Sequence, residues 1–202
     1  MMKKKKIIIG ATAAVLCITA LSSIVVTAEN EYKLVRQFGK VSHVVKDAGV
    51  SFKVPFLQST DTLPKEILLF DLQPSDVITK DKKTMITDCY ALWQISDPLK
   101  FAQTLNSSIS NAEGRLNTAI YNATKNVISN MNQDEVITSR DGELQEKILA
   151  HIGNSLESYG IHLIEVETKQ LDLPADNKDS VYERMISERD NMAATYKAQG
   201  EA

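Results

Sequence analysis

The stretch TKDKKTMITDCYALWQISDP, residues 79–98, decides the fold. Beyond a charged tip at Asp81-Lys82-Lys83, two sets of side chains alternate with a period of two residues, which is typical of a β-strand. The tip is therefore predicted to join this strand to a preceding one in a hairpin. The face predicted to be buried consists of Met85, Thr87, Cys89, Ala91, Trp93 and Ile95, while Tyr90 and Leu92 predict that the opposite face is partly covered.

On both sides of this hairpin the sequence predicts an α+β domain. Short strands are predicted within residues 31–56 and at 66–72, where apolar residues alternate between glycines and prolines. At Asp97-Pro98 the periodicity becomes helical, with Asp97 as the N-cap of a first helix. Strands followed by helices and one more strand indicate the α+β class. The remaining predicted elements are a helix at about 111–131, a helix from near Ser139 to Tyr159 that Gly160 ends, and a strand at 161–173.

The N-terminus has the pattern of a membrane anchor. Four lysines precede Ile7 to Ala28, which are 22 residues without a charge. As a helix this run is about 33 Å long, enough to cross the core of a bilayer. The lysines predict a cytoplasmic N-terminus, with the bulk of the chain on the extracytoplasmic side of the cell (inner) membrane. A cleaved signal peptide is the alternative. The residues expected to form the anchor include Lys3, Lys4, Lys5, Lys6, Ile7, Val15, Leu16, Leu21 and Val26.

The closing segment, residues 175–202, is predicted to be the start of a coiled-coil helix. Its apolar residues recur at spacings of four and seven, a weak heptad. So few apolar side chains make a helix marginal by itself, so we expect a partner helix from a neighbouring subunit. The chain is thus divided into an anchor at 1–28, a domain at 29–174 and this helix. The predicted oligomer interface consists of Val181, Met185, Glu188, Arg189, Met192 and Tyr196.

Charge and motifs argue against nucleic-acid binding and catalysis. The net charge is −3, and the four N-terminal lysines leave −7 for residues 29–202, which disfavours contact with a phosphate backbone. The three histidines are isolated, and the two cysteines lack the spacing of a metal site. We find no Gly-rich phosphate loop and no nucleophile elbow. We therefore predict a protein that is not an enzyme and has no cofactor or metal; a binding role for the tip at 81–83 remains an alternative.

Six runs, in order along the chain, resemble the SPFH (band 7, prohibitin/stomatin-like) family. They are EYKLVRQFGKV (31–41), AGVSFKVPF (48–56), the 79–98 stretch, TSRDGELQEKI (138–148), YGIHLIEVETKQLDLP (159–174) and SVYERMISERDNMAATYKAQGEA (180–202). The last run is most typical of the bacterial branch that pairs with HflK-like proteins. Ala48-Gly49-Val50 departs from the usual Pro-Gly-Leu of the family but keeps the turn glycine.

The resemblance implies a scaffold in the membrane. Proteins of this branch form a ring with an HflK-like partner, and the ring encloses and modulates an FtsH-like membrane protease. Because the family's long helix continues past the position of Ala202, we expect this 202-residue chain to associate weakly and not to close a ring by itself. The alternative is a stomatin/flotillin-like lipid-domain scaffold that is not tied to proteolysis. A hydrolase is disfavoured because no nucleophile has an identifiable base.

Overall fold

The computed structural model of the chain describes residues 21–139 and 142–172, and near the C-terminus residues 186, 187, 189–194, 196 and 197. The strands are β1 (Ile24–Thr27), β2 (Glu31–Gln37), β3 (Lys40–Val45), β4 (Gly49–Phe52), β5 (Gln58–Pro64), β6 (Leu68–Asp71), β7 (Ser75–Ile78), β8 (Thr84–Ile95) and β9 (Ile161–Asp172). The helices are α1 (Pro98–Leu105), α2 (Ile109–Ser129), α3 (Gln133–Thr138) and α4 (Glu143–Ile152), followed by a 3₁₀ turn at Glu157–Tyr159.

The strands form three sheets, and the predicted α+β class is confirmed. β1 pairs with β4 in a two-stranded ribbon, and a second sheet has the order β3-β2-β5. The third has the order β6-β8-β7, with β9 also paired to β8. The pairings of β1 with β4, of β2 with β3 and β5, and of β7 with β8 are antiparallel.

Strand β8 confirms the prediction from the 79–98 stretch. Its burial alternates along all 12 residues, so that every second side chain from Met85 to Ile95 is buried and the others are half-buried. Because successive side chains of a strand project to opposite faces, one face of β8 forms core and the other is only partly covered. The tip at residues 81–83 is a turn, in which Lys82 has a positive φ of 64°.

The described chain divides into two compact units. The first comprises residues 21–70, 91–119 and 152–165. Its core is built around Trp93, whose ring stacks on that of Phe101 with centroids 6.4 Å apart. Both rings are fully buried, and side chains from the sheets, from α1 and from the start of α2 complete this core. The other large buried residues of this unit include Leu34, Leu63, Ile95, Leu116, Leu156 and Ile161.

Among the described residues, the second unit comprises 71–90, 120–139, 142–151 and 166–172, together with those near the C-terminus. Its core contains side chains from β7 and the first half of β8, from the last half of α2, and from α3 and α4. Helix α2 corresponds to the helix predicted at about 111–131, and its buried residues form an apolar stripe, of which Leu116 belongs to the first unit and Ile120 to the second. The buried residues of the second unit include Val77, Met85, Ile120, Ile128, Val136, Leu144, Ile148 and Val166.

The boundaries predicted for the helix from Ser139 to Tyr159 are wrong. A short helix that was not predicted, α3, ends at Thr138, and α4 begins at Glu143 and ends at Ile152. Gly153 has a positive φ of 50°, a left-handed conformation that terminates an α-helix. Gly160 does end the following 3₁₀ turn, as a C-cap with a φ of 73°.

The C-terminal boundary predicted for the anchor, Ala28, is also too far along the chain. Ile24–Thr27 are not helical but form β1, because β-branched residues fit an extended ladder and this run pairs with Gly49–Phe52. Residues 1–20, which hold most of the predicted anchor, lie outside the described residues. Within the part of the chain that is described, no helix has the length and apolarity needed to cross a bilayer.

A candidate membrane-contacting surface

The β1–β4 ribbon has one exposed apolar face. Ile24 pairs with Phe52 and Val26 pairs with Val50, and all four side chains are exposed, Phe52 to 72%. Residues directly opposite each other in an antiparallel pair lie on the same face. The alternate residues of β1, Val25 and Thr27, are buried. An apolar stripe of this kind is typical of a surface that contacts a membrane or another protein.

This apolar surface continues into the loop that follows β4. Val54 and Leu57 are half exposed, and the ring of Phe56 is 90% exposed. The loop is closed by Gln58, whose N–H donates to the Val54 carbonyl at 3.0 Å and whose Oε1 accepts from the Val54 N–H at 2.8 Å. Phe56 is therefore at the apex of a tight, hydrogen-bonded loop.

The loop lies beside the start of the described chain. The Lys53 N–H donates to the Ser23 carbonyl at 2.8 Å, and the Ser23 hydroxyl donates to the Lys53 carbonyl. In the sequence, Ser23 lies within residues 7–28, the apolar run predicted to be a membrane anchor. Lys53, at the start of the loop, is therefore hydrogen-bonded to a residue of that run.

A further exposed aromatic ring, that of Phe38, lies at the turn between β2 and β3. The guanidinium of Arg36 holds this turn: its Nε donates to Asp61 Oδ2 at 2.5 Å, its Nη2 donates to Ser107 Oγ at 2.8 Å and its Nη1 donates to the Gly39 carbonyl at 3.3 Å. Charge-assisted hydrogen bonds of this kind fix geometry as well as adding stability. The conformation of the turn is therefore tied to β5 and to the end of α1.

The charged tip of the β7–β8 hairpin, by contrast, is bound within its own unit. Asp81 Oδ1 accepts from the Thr79 hydroxyl at 2.6 Å and from the Gln133 N–H at 3.2 Å, and Lys83 lies 2.9 Å from Oδ2. The Thr79 hydrogen bond, followed by that of Lys83, lowers the pKa of Asp81 to about 2. The carboxylate thus caps the start of α3, a structural role for the tip that sequence analysis had considered for binding.

Two other polar groups of the second unit have structural partners. Lys169 forms ion pairs with Asp71 and, at 2.9 Å, with Asp88; hydrogen bonds to these carboxylates, that of Asp71 first, raise the pKa of the lysine. The Cys89 thiol is buried against the Thr168 hydroxyl at 3.8 Å, and burial raises its pKa. A buried thiol with a raised pKa is a poor nucleophile.

An open pocket between α3 and α4 has an acidic lining that includes Asp134, Glu135 and Glu143. Two of these carboxylates are already bound locally, Glu135 by the Asn132 N–H at 2.7 Å and Glu143 by Lys147 at 2.8 Å. In the described part of the chain, no three His, Cys, Asp or Glu side chains cluster in a way that could hold a metal ion.

The predicted site residues are only partly described. Lys3, Lys4, Lys5, Lys6, Ile7, Val15 and Leu16 of the anchor lie outside the described residues, as do Val181, Met185 and Glu188 of the predicted interface. Leu21 and Val26 are exposed, Val26 in β1. Arg189, Met192 and Tyr196 lie in helical residues and are exposed. The predicted interface remains a prediction.

The exposed aromatic residues were not predicted to form a site. Phe52 and Phe56 both fall within the alternating residues 31–56 that predicted short strands, whereas β4 ends at Phe52. The available signal was the pair Phe38-Gly39, because an aromatic residue before glycine in a tight turn contradicts local preference.

Comparison with known proteins identifies the family. The SPFH domain / Band 7 family matches residues 25–202. "Protein HflC" of Buchnera aphidicola subsp. Acyrthosiphon pisum is 31% identical over 97% of this chain and 70% of its own length. "Protein HflC" of Haemophilus influenzae is 31% identical over 92% of this chain and 66% of its own length. "Modulator of FtsH protease HflC" of Escherichia coli K12 is 28% identical over 89% of this chain and 67% of its own length.

These alignments span about two thirds of the length of the relatives. The resemblance inferred from the six sequence runs is thereby confirmed. Because the family match covers nearly all of the residues after the apolar N-terminal run, the chain belongs to the SPFH domain / Band 7 family.

Proposed function

We propose that this protein is a non-enzymatic, membrane-anchored scaffold that acts in the manner of the HflC relatives. It assembles with an HflK-like partner and modulates an FtsH-like protease. The observation that carries the membrane part is the exposed apolar face of the β1–β4 ribbon, which continues into the loop that contains Phe56 and begins at Lys53, the partner of Ser23. Such a face is costly in water and is stabilised by contact with a bilayer.

The link to a protease rests on the relatives. One relative is named as a modulator of FtsH protease, and two others at 31% identity carry the name HflC. These matches favour the protease-linked scaffold over a stomatin/flotillin-like lipid-domain scaffold. Modulation by a scaffold needs no reacting side chain, since it acts by enclosing and organising the protease.

Assembly is proposed to use the closing helix. Met192 and Tyr196 are four residues apart and are both exposed in helical residues, so they lie on one side of the helix. Together with Val181, Met185, Glu188 and Arg189 they form the proposed seam with a neighbouring subunit. The apolar members supply contact area, and the charged members set the partner and its register.

The test is co-purification of the full-length chain from its own membranes. We expect both an FtsH-like protease and an HflK-like protein to be retained. A chain that is membrane-bound but retains neither protein would contradict the proposal and favour the lipid-domain alternative. The double substitution Met192→Ala/Tyr196→Ala should weaken retention of the HflK-like protein, whereas Lys197→Ala, on the same helix but outside the proposed seam, should not.

Membrane topology needs its own measurement. The chain is proposed to cross the cell membrane once, with Lys3 to Lys6 in the cytoplasm and residues 29–202 outside it. Protease added to intact spheroplasts should then digest the large domain. Full protection of that domain, with digestion only after lysis, would contradict this orientation.

A further inference from the structure

The turn that carries Phe38 has a backbone for which phenylalanine is poorly suited. Gln37 pairs with Lys40, so Phe38 and Gly39 are the two central residues of a two-residue hairpin. Their φ angles are 50° and 81°, both positive, as a type I′ turn requires. Asn-Gly is the favoured sequence there, and a bulky aromatic side chain in left-handed backbone is strained. Phe38 is nevertheless 82% exposed, so its ring adds little to the core.

Phe56 repeats both features of Phe38. Its φ is 67°, and its ring is exposed as described above. The pairing of Gln37 with Gln58 places both phenylalanines just beyond the same end of the β3-β2-β5 sheet. Two strained, exposed aromatic rings at one end of a sheet gain nothing from the fold itself. Strain of this kind is typical of functional sites.

The charges of this unit indicate which partner the rings contact. Lys40 and Lys53 are the charged residues next to the two phenylalanines, since Arg36 is bound to Asp61. The acids Glu29, Glu31 and Asp47 lie toward the opposite end of the strands from the two phenylalanines. At that end Glu31 of β2 pairs with Pro64 of β5, and Thr27 of β1 pairs with Gly49 of β4. Glu31 is ionised there, because the Ala28 N–H and Lys33 lower its pKa. Aromatic rings flanked by lysines suit the interface of a bilayer with anionic headgroups.

We propose that Phe38 and Phe56 are wedges that insert into the interface of an anionic phospholipid bilayer, with Lys40 and Lys53 bound to lipid phosphates. This inference rests on the proposed membrane association but adds a lipid class and named residues. The hydrogen bonds of Arg36 to the turn, and of Gln58 to the loop, hold the rings outward. Phe38 thus destabilises the turn but provides a contact with the membrane.

The first experiment separates a functional role of Phe38 from a structural one. Phe38→Asn creates the preferred Asn-Gly turn, so the urea midpoint of the full-length chain in non-ionic detergent should stay the same or rise. A lower midpoint would overturn the proposal, because it would show that the ring stabilises the fold.

The second experiment places a probe at the turn in the full-length chain reconstituted into vesicles. The fluorescence of Phe38→Trp should be quenched by brominated phosphatidylcholine when phosphatidylglycerol is present. Ala28→Trp, exposed at the acidic end, is the matched control and should not be quenched. The native Trp93 is buried and contributes a constant background. Quenching at neither position would overturn the lipid contact and point to a protein partner.

The lipid class is tested by charge. In vesicles with phosphatidylglycerol, Lys40→Gln added to Phe38→Trp should lower the ratio of membrane-inserted to free turns, as read from the quenching, about fivefold. This is the effect expected for a lysine near an anionic surface. Lys46→Gln, at the end of β3 away from the turn, should leave it unchanged. Equal quenching of Phe38→Trp in pure phosphatidylcholine and in mixed vesicles would overturn the anionic requirement. Retention of FtsH-like and HflK-like proteins is a separate readout, so the two proposals fail independently.

Discussion

Gly160 is the position in the first unit where a single methyl group should be most damaging. A Cβ at Gly160 would lie 2.3 Å from the Asp97 carbonyl oxygen and 2.9 Å from the Phe101 nitrogen. Both are backbone atoms at the start of α1, so they cannot rotate away. The Gly160 carbonyl also accepts from the N–H groups of Ser96 and Asp97, at 3.0 and 3.3 Å, which fixes this approach.

The expected cost of Gly160→Ala has two parts. Left-handed backbone, here with a φ of 73°, costs an L-residue about 1–2 kcal/mol. Overpacking against fixed atoms adds about 1–3 kcal/mol, so the free energy of unfolding should fall by about 2–5 kcal/mol. Gly39→Ala is the matched control, because Gly39 also has a positive φ but no atom within 4 Å of an added Cβ. It should cost only the backbone part.

The assay is urea unfolding of the full-length chain in non-ionic detergent. Trp93, the one tryptophan of the sequence, is fully buried beside Phe101, so its emission reports on this unit. The reasoning is refuted if Gly160→Ala costs no more than Gly39→Ala, since the close approach of the two backbones would then carry no energy.

Three further predictions concern polar groups. Asp97→Ala should cost about 1 kcal/mol, because Asp97 Oδ1 accepts from two N–H groups in the first turn of α1; Asp97→Asn should retain most of this cap, and equal losses for both would contradict it. Asp81 has a folded-state pKa of about 2, below its ordinary 3.8. Its stabilising effect is therefore complete above pH 4 and is lost as the pH falls toward 2. The urea midpoint of Asp81→Asn should vary less between pH 4 and pH 2 than that of the native chain. Cys89 should react with iodoacetamide only after denaturation, as read by peptide mass spectrometry, and labelling of the native protein would contradict its burial.

Much of the fold was predictable where one face of an element is buried. The alternation in β8 and the stripe on α2 follow from burial on one side, which leaves a period in the sequence. Asp97-Pro98 was equally readable, because capping depends on local chemistry. The short helix α3 leaves too few residues for a period, and its Val136 is buried only through tertiary contacts.

The candidate surface was harder to predict because its residues look like core. Ile24 to Thr27 continue an apolar run, and their β-branched side chains favour a strand too weakly to separate β1 from the end of a membrane helix. The distinction comes from the partner strand β4, which lies some 25 residues further along the chain. Phe38 is the reverse case. An aromatic residue directly before Gly39 is an unusual local sequence, but its meaning becomes clear only once the turn geometry is known.

The pairing of β1 with β4 has a mechanical consequence. Four residue pairs join the two strands, and their hydrogen bonds run across the strand direction. A force that pulls on the chain before Ser23, in the direction of β1, loads these hydrogen bonds in shear. The bonds must then break together. A pull across the ribbon would instead open them one pair at a time. A pull on the N-terminal segment, such as the proposed membrane anchoring would transmit, is therefore carried by the ribbon as a whole before it reaches β2.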